Sequence, residues 1–353
     1  MKVTIVGYGN IGTLMAAEMA YRGHSVTVYT SSVPDSNTIE VYDQSENCIL
    51  SGKMDLITDN LEEAVKGAEV IWITLPSQMF EEFAERLYSY IEPKQIIGVV
   101  PGSGGAEFAF RKLIAKGCIM VGLQRVHSIA RIKERGKSVY MLGKKDELQV
   151  GVIPKEQTEK MTEMVRHLFD MPCVMLDNYL CVTLTPSNPI LHTARLYTMF
   201  KDFKKEESYP RNFLFYEEWN DESSDMLLKC DAELQNLCGK IPMELSDVKS
   251  LKLHYESNTP QKMSEKIRSI GAFKGITSPM VCIGEDRWIP DFSSRYFTSD
   301  FPYGLKIILE LCRLFAVDAP NIQMVWDWYT KQNTEAKCFE TDLTKDELLK
   351  LYV

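Results

Sequence analysis

Met1-Lys-Val-Thr-Ile-Val-Gly7-Tyr-Gly9-Asn-Ile-Gly12 opens the chain, and its reading decides the fold. The run before Gly7 is short, apolar and rich in β-branched residues, which predicts a strand. The glycines follow at once in the spacing GxGxxG. Thr13-Leu-Met-Ala-Ala-Glu-Met-Ala-Tyr-Arg then reads as a helix closed by Gly23, and Ser25-Val-Thr-Val-Tyr29 as the next strand. Strand, glycine loop, helix and strand in this order begin a doubly wound α/β sheet. Each glycine has a task in such a loop. Gly7 makes the tight turn, Gly9 lets the backbone approach a pyrophosphate, and Gly12 lets helix and strand pack closely. Gly9, Asn10, Ile11 and Gly12 stand where a helix N-terminus offers free N–H groups to a diphosphate. The motif alone is weak. Its place between a strand and a helix makes it a dinucleotide site of Rossmann type.

The tip of the second strand speaks to the choice of dinucleotide. An acid about 20 residues past the fingerprint binds the ribose hydroxyls of NAD. Here Thr30-Ser31-Ser32 precedes Val33-Pro34-Asp35. No acid stands at the tip, and no arginine to clamp a 2′-phosphate. Hydroxyls and backbone N–H groups can hold a phosphate, and nothing repels one. The reading leans to NADP and leaves NAD open through Asp35.

The α/β rhythm continues. Glu69-Val-Ile-Trp-Ile-Thr-Leu75 is a buried parallel strand by its apolar run. Pro76-Ser77-Gln78 turns into the helix Met79–Leu87. Gln95–Val100 is a further strand, ending in Pro101-Gly-Ser-Gly-Gly-Ala-Glu107. Ligands of open parallel sheets sit at the carboxyl ends of strands, so Pro76, Ser77 and Gly102 are expected beside the nicotinamide. Ile119–Gln124 and Ser138–Leu142 read as closing strands. Arg125, His127, Arg131, Lys133, Arg135 and Lys137 crowd the segment between them, either as a solvated loop or facing anionic ligands. A helix over 156–169 and a strand over 173–176 complete a cofactor domain, residues 1–180.

Composition narrows the class. A chain of 353 residues with 45% hydrophobic content can build two cores. A formal net charge of -9 argues against nucleic acid or an anionic membrane as partner. No apolar run is long enough for a bilayer. The nine cysteines form no CxxC and no zinc pattern, and the five histidines do not cluster with them, so no metal is expected. Reduced thiols, and a first strand that leaves no room for a leader, predict a cytoplasmic protein.

Beyond residue 180 the pattern turns helical, defining a second domain over 181–353. Thr185-Pro-Ser-Asn-Pro-Ile-Leu-His192-Thr-Ala-Arg195 stands at the junction. Pro189 favours an extended Asn188, which places Asn188 as N-cap and His192 one turn in. An imidazole presented there, after a cofactor domain, predicts an active site in the cleft between the domains. The aromatic tail Trp326, Trp328 and Tyr329 is placed to cover a homodimer interface.

Asn188-Pro-x-x-His192 resembles a motif of the opine dehydrogenases of octopine/nopaline type. So do Pro101–Phe108, Ala272–Pro279 and Ser294-Arg-Tyr-Phe-Thr-Ser-Asp-Phe-Pro-Tyr-Gly-Leu305. The resemblance covers almost the whole chain. It implies reductive condensation of an amino acid with a 2-oxo acid, by NAD(P)H, in amino-acid metabolism. It implies His192 as acid/base, Asp300 as its orienting carboxylate and Arg295 as a carboxylate binder. The chemistry agrees. Imine reduction needs a proton donor active near neutral pH, a carboxylate fixes the imidazole tautomer, and an arginine forks onto a carboxylate. Asn188 is the remaining candidate, toward nicotinamide or substrate.

Two rivals are separable. A ketopantoate-reductase-like 2-oxo acid reductase relies on a lysine at the start of the interdomain helix, and no lysine occurs between Lys160 and Lys201. A non-catalytic NADP sensor binds cofactor without turnover.

Overall fold

The computed structural model describes residues 1–333 and 337–352. They form two compact units, 1–183 with 349–352, and 184–348.

The first unit carries twelve strands in two sheets. They are β1 (Lys2–Val6), β2 (Ser25–Tyr29), β3 (Thr38–Tyr42), β4 (Cys48–Lys53), β5 (Leu56–Thr58), β6 (Val70–Ile73), β7 (Ile96–Val99), β8 (Ile119–Leu123), β9 (Ser128–Glu134), β10 (Ser138–Lys144), β11 (Leu148–Ile153) and β12 (Cys173–Met175). The main sheet runs β12-β11-β8-β7-β6-β1-β2-β5, parallel except where β11 opposes β8. This is the doubly wound sheet that the glycine loop predicts. All four residues of β6 are buried, as an apolar run in a parallel sheet should be. Trp72 on β6 lies opposite Gly98 on β7, and a Cβ at 98 would fall 2.2 Å from the indole. The large ring fills the room that the glycine leaves.

The second sheet, β4-β3-β10-β9, corrects the sequence reading. Within the basic segment Ser128–Glu134 is strand β9, carrying Arg131 and Lys133 with the other four basic residues in the flanking bends and turn, and β10 pairs with it away from the main sheet. The helix Asn10–Tyr21 is buried from Gly12 through Met19 without a break. A helix apolar all round must be covered on every side. Contacts of this helix with β1 and β2 on one hand and with β3, β4, β9 and β10 on the other supply that cover. Gly52 of β4 rests on it so closely that a Cβ would meet the Ala17 carbonyl at 2.1 Å. One carboxylate sits on this buried helix. Glu18 accepts from His127 at 2.7 Å and from Arg22 at 3.2 Å, and these partners hold its carboxyl below the usual range despite burial.

The second unit is mainly helical. Asn220 caps Asp221–Lys240 by accepting from the Ser223 amide at 3.0 Å. Thr259 caps Pro260–Ser269, with proline in the first turn. Two acids of the long helix cap other helices. Glu233 accepts from the Asn321 and Ile322 amides, each at 2.9 Å, and Asp231 from the Leu251 amide at 2.8 Å. Pro320–Gln332 holds Trp326, Trp328 and Tyr329, and here the structure again differs from expectation. All three are buried within this unit, Tyr329 stacked on Phe301 at 4.4 Å and Trp328 edge-on to Tyr197 at 5.7 Å. They are its own core rather than an interface in waiting. Among the described residues no helix is long and apolar enough to cross a membrane.

Candidate active site

The glycine loop shows the three tasks in its geometry. Gly7 has φ +101, a left-handed conformation that suits glycine. A Cβ at Gly12 would lie 2.0 Å from the Gly7 carbonyl oxygen, so helix and loop touch there. Around Gly9 there is no atom within 4 Å of a Cβ position, and Gly9 is the N-cap of Asn10–Tyr21. The helix N-terminus is thus open and carries no acid in its first turn. These are fitting groups for a dinucleotide pyrophosphate. The Asn10 side chain is engaged elsewhere, its Oδ1 accepting from the Ile132 amide of β9 at 2.8 Å. Asn10 and Ile11 are the first two residues of the helix, where backbone N–H groups lack an intrahelical partner.

Pro76 and Ser77 follow β6 at its carboxyl end, where Ser77–Met79 forms a 3₁₀ turn. Gly102 follows β7 at the equivalent end. Its missing side chain is required by packing, since a Cβ would meet Gly122 Cα at 2.7 Å. Tyr179 donates to its carbonyl at 2.9 Å. Thr30, Ser31 and Ser32 leave the tip of β2, with the Thr30 hydroxyl accepting from the Ser32 amide at 3.3 Å. The sequence shows no arginine at this tip, but the fold brings one. Arg86, on the helix Phe80–Tyr88, hydrogen-bonds the hydroxyl of Tyr29, the last residue of β2.

In the second unit two π-helical turns bring the acid/base candidates together. His192 ends the turn Ser187–His192, and Asp300 lies inside the turn Tyr296–Leu305. Nδ1 of His192 stands 2.8 Å from Asp300 Oδ2. π-Turns are rare and concentrate at functional sites. Their cause is local. Pro189 and Pro302 lack the N–H that an α-helical ladder needs, and the Leu191 amide reaches back five residues to the Pro186 carbonyl at 3.3 Å. This corrects the cap assignment. Asn188 is exposed inside the π-turn and makes no cap bond, while Pro186 occupies the N-cap position.

Residues that no motif announced complete the surroundings of His192. Nε2 lies 2.9 Å from the Tyr216 hydroxyl, and the Tyr296 ring stands 4.8 Å from the imidazole, centroid to centroid. Arg195, one turn beyond His192, is buried and binds the carbonyls of Phe215 at 3.2 Å and Glu218 at 2.7 Å. It ties the segment bearing Tyr216 to the helix Thr193–Phe200. Arg295 precedes the Asp300 turn, is exposed, and has no ion-pair partner among the described residues.

The first unit also buries a carboxyl below the Gly102 loop. Glu107 is fully buried. Its Oε1 accepts from Tyr352 at 2.8 Å and from Thr183, and its Oε2 has no partner among the described residues. Burial pushes this carboxyl up to about 7.

A glycine-loop Rossmann sheet and a helical unit bearing a histidine–carboxylate pair define a nicotinamide-dependent oxidoreductase. Residues 2–142 match the N-terminal domain of NAD-dependent glycerol-3-phosphate dehydrogenase. Residues 175–333 match the α-helical domain of NAD/NADP octopine/nopaline dehydrogenase. The chain is 27% identical to tauropine dehydrogenase of Arabella iricolor over 317 residues, 84% of this chain and 79% of the other. It is 24% identical to octopine dehydrogenase of Pecten maximus, over 77% and 72% of the two chains. The fold superposes on octopine dehydrogenase with NADH and L-arginine with a TM-score of 0.80 at 22% identity, covering 94% of this chain and 89% of that one. It superposes on NADP+-bound yersinopine dehydrogenase with a TM-score of 0.69 at 11% identity, over 96% and 94%.

Proposed function

We propose that this protein is an opine-type dehydrogenase that joins an amino acid to a 2-oxo acid and reduces the resulting imine, reversibly. The observation that carries this reading is the 2.8 Å contact of His192 Nδ1 with Asp300 inside the octopine/nopaline domain. Bound NADPH or NADH supplies the hydride. Gly9, Asn10, Ile11 and Gly12 would hold its pyrophosphate through backbone N–H groups, with Gly7, whose own N–H is given to the Tyr29 carbonyl, shaping the turn, and Pro76, Ser77 and Gly102 would border its nicotinamide. Thr30 and Ser31 receive the adenosine ribose, with hydroxyls that accommodate a 2′-phosphate.

Asp300 accepts a hydrogen bond from Nδ1–H and so fixes the imidazole tautomer and ring plane. Nε2 is then the nitrogen that gives or takes the proton of the reacting amine. Arg295, exposed and without an ion-pair partner among the described residues, binds a substrate carboxylate in a two-toothed contact. Asn188, freed from capping, supplies a neutral hydrogen-bonding group on the same turn as His192.

The test follows NAD(P)H absorbance while pyruvate is offered with each protein amino acid and with taurine. Turnover that needs both an amine and the oxo acid is the expected result. Turnover on the oxo acid alone makes the protein a 2-oxo acid reductase. Cofactor binding without turnover of any pair makes it a sensor.

A further inference from the structure

Both nitrogens of His192 are occupied. Nδ1 faces Asp300 at 2.8 Å, and Nε2 faces the Tyr216 hydroxyl at 2.9 Å. A histidine that hands a proton directly to substrate needs Nε2 open to it. The question is whether Tyr216 can step aside.

The packing holds it in place. The Tyr216 ring is stacked on Phe273 at 4.1 Å with an interplanar angle of 18°. It runs near-parallel to Trp219 at 6.3 Å and 7°. Tyr216 is 6% exposed. Its segment is clamped from below by Arg195, which binds the Phe215 and Glu218 carbonyls and the Ser223 hydroxyl. From outside it is clamped by Arg211, paired with Glu218 at 2.6 Å and 2.8 Å. Because Arg195 and His192 lie one turn apart, the imidazole and the phenol are carried by one rigid piece. Swinging the hydroxyl off Nε2 would break the aromatic stack.

We propose that Tyr216 is a catalytic residue that relays the proton between His192 and the substrate. The inference rests on the acid/base reading of His192 given above. In the reducing direction the Nε2–H bond breaks as the Tyr216 oxygen takes that proton. The Tyr216 O–H bond breaks in the same step, and its proton goes to the reacting substrate atom. His192 ends neutral, Tyr216 ends as a phenol, and the substrate has gained one proton. No phenolate accumulates. The oxidising direction runs the same exchange backwards. The hydroxyl is the only group removed by Tyr216→Phe, and the stack on Phe273 and Trp219 is left intact.

The experiment compares wild type, His192→Ala and Tyr216→Phe with pyruvate and the amino acid giving the highest rate. Single-turnover rates are measured in mixtures of H₂O and D₂O and across pH, with cofactor affinity by calorimetry as the control on folding. Expected are a curved isotope inventory in wild type, from two protons in flight, and a loss of about 10² to 10⁴ in Tyr216→Phe, the range of general acid–base catalysis. Cofactor affinity stays within twofold. Tyr216→Phe within about tenfold of wild type, beside an inactive His192→Ala, overturns the relay and leaves the acid/base reading standing. So does a linear inventory in wild type, which decides the matter even if Tyr216→Phe fails to fold. An active His192→Ala, or a wild type without turnover, overturns both.

Discussion

Gly304 lies against Pro189, so that a Cβ at 304 would come within 2.9 Å of the proline Cβ. These two residues are where the π-turns meet, one carrying His192 and the other Asp300. The contact is backbone against a rigid ring, and neither side can yield cheaply. Gly304→Ala should therefore push the turns apart, with an overpacking cost of about 1–3 kcal/mol. Turnover should fall together with the urea midpoint. A variant of unchanged stability and rate would show that the two turns do not depend on this approach.

Asp300→Asn keeps the shape of the pair and removes its charge. The amide can present its N–H to Nδ1 and stabilise the wrong tautomer. A loss of kcat on the order of 10² to 10⁴ is expected, with cofactor affinity unaltered. Steady-state kinetics beside a cofactor titration would check it, and a full-rate variant would take Asp300 out of the orienting role.

The glycine loop allows ligand binding to be separated from folding. A Cβ at Gly9 has no described atom within 4 Å, so Gly9→Val should fold and lose cofactor affinity alone. Gly12→Ala would strike the Gly7 carbonyl at 2.0 Å and should destabilise the unit itself. Calorimetric binding and thermal unfolding of both variants read the two effects. Wild-type affinity in Gly9→Val would remove the pyrophosphate from this loop.

Cofactor choice turns on the end of β2. Thr30→Asp places an acid where it repels a 2′-phosphate and accepts from a free 2′-hydroxyl. The preference should shift toward NADH by about 1–3 kcal/mol, the scale of a charge-assisted hydrogen bond. The ratio of kcat/KM for the two cofactors measures it. If wild type already favours NADH strongly and Thr30→Asp leaves the ratio alone, the adenosine ribose does not lie at this tip.

Glu107 gives stability a pH dependence of known sign. Its carboxyl is pushed up to about 7 in the fold, against about 4.3 in an unfolded chain. Between these values the folded protein holds a proton that the unfolded chain has lost, so rising pH destabilises it. Below the window both states are protonated, and above it both are ionised and the stabilisation is gone. The whole effect is on the order of 3 kcal/mol. Glu107→Gln keeps an acceptor for Thr183 and Tyr352 and should abolish this component. Urea midpoints at pH 4.5 and 8 would be compared in both proteins, and parallel pH curves would contradict the assignment.

The first sheet was legible because GxGxxG, buried apolar strands and helix-closing glycines are local signals. The second sheet was not, although a signal existed. Eight consecutive buried residues in Asn10–Tyr21 leave no solvent face, and only a second layer can cover such a helix. Reading Thr13–Arg22 only as a helix closed by Gly23 left the layer that covers it unstated. Asn188 was misread because a Pro at the next position usually marks a helix start. Here the chain widens into a π-turn instead, the Leu191 amide reaching back five residues to the Pro186 carbonyl. Tyr216 carries no local mark at all. Its place beside His192 is set by Arg195 and an aromatic stack, which only the folded chain displays. Arg86 is a like case, reaching Tyr29 from a helix far along the sequence.

Tyr352 joins Glu107 across 245 residues of sequence, and every residue of the helical unit lies between them. During synthesis, residues 1–183 leave the ribosome about 8 to 34 s before Tyr352 does, at roughly 5–20 residues per second. Through that interval the nucleotide-binding half carries a buried carboxyl lacking one of its two donors. The half made first is thus the half completed last. A nascent chain stalled inside the helical unit would display an unfinished dinucleotide fold to chaperones, however well its first sheet had formed.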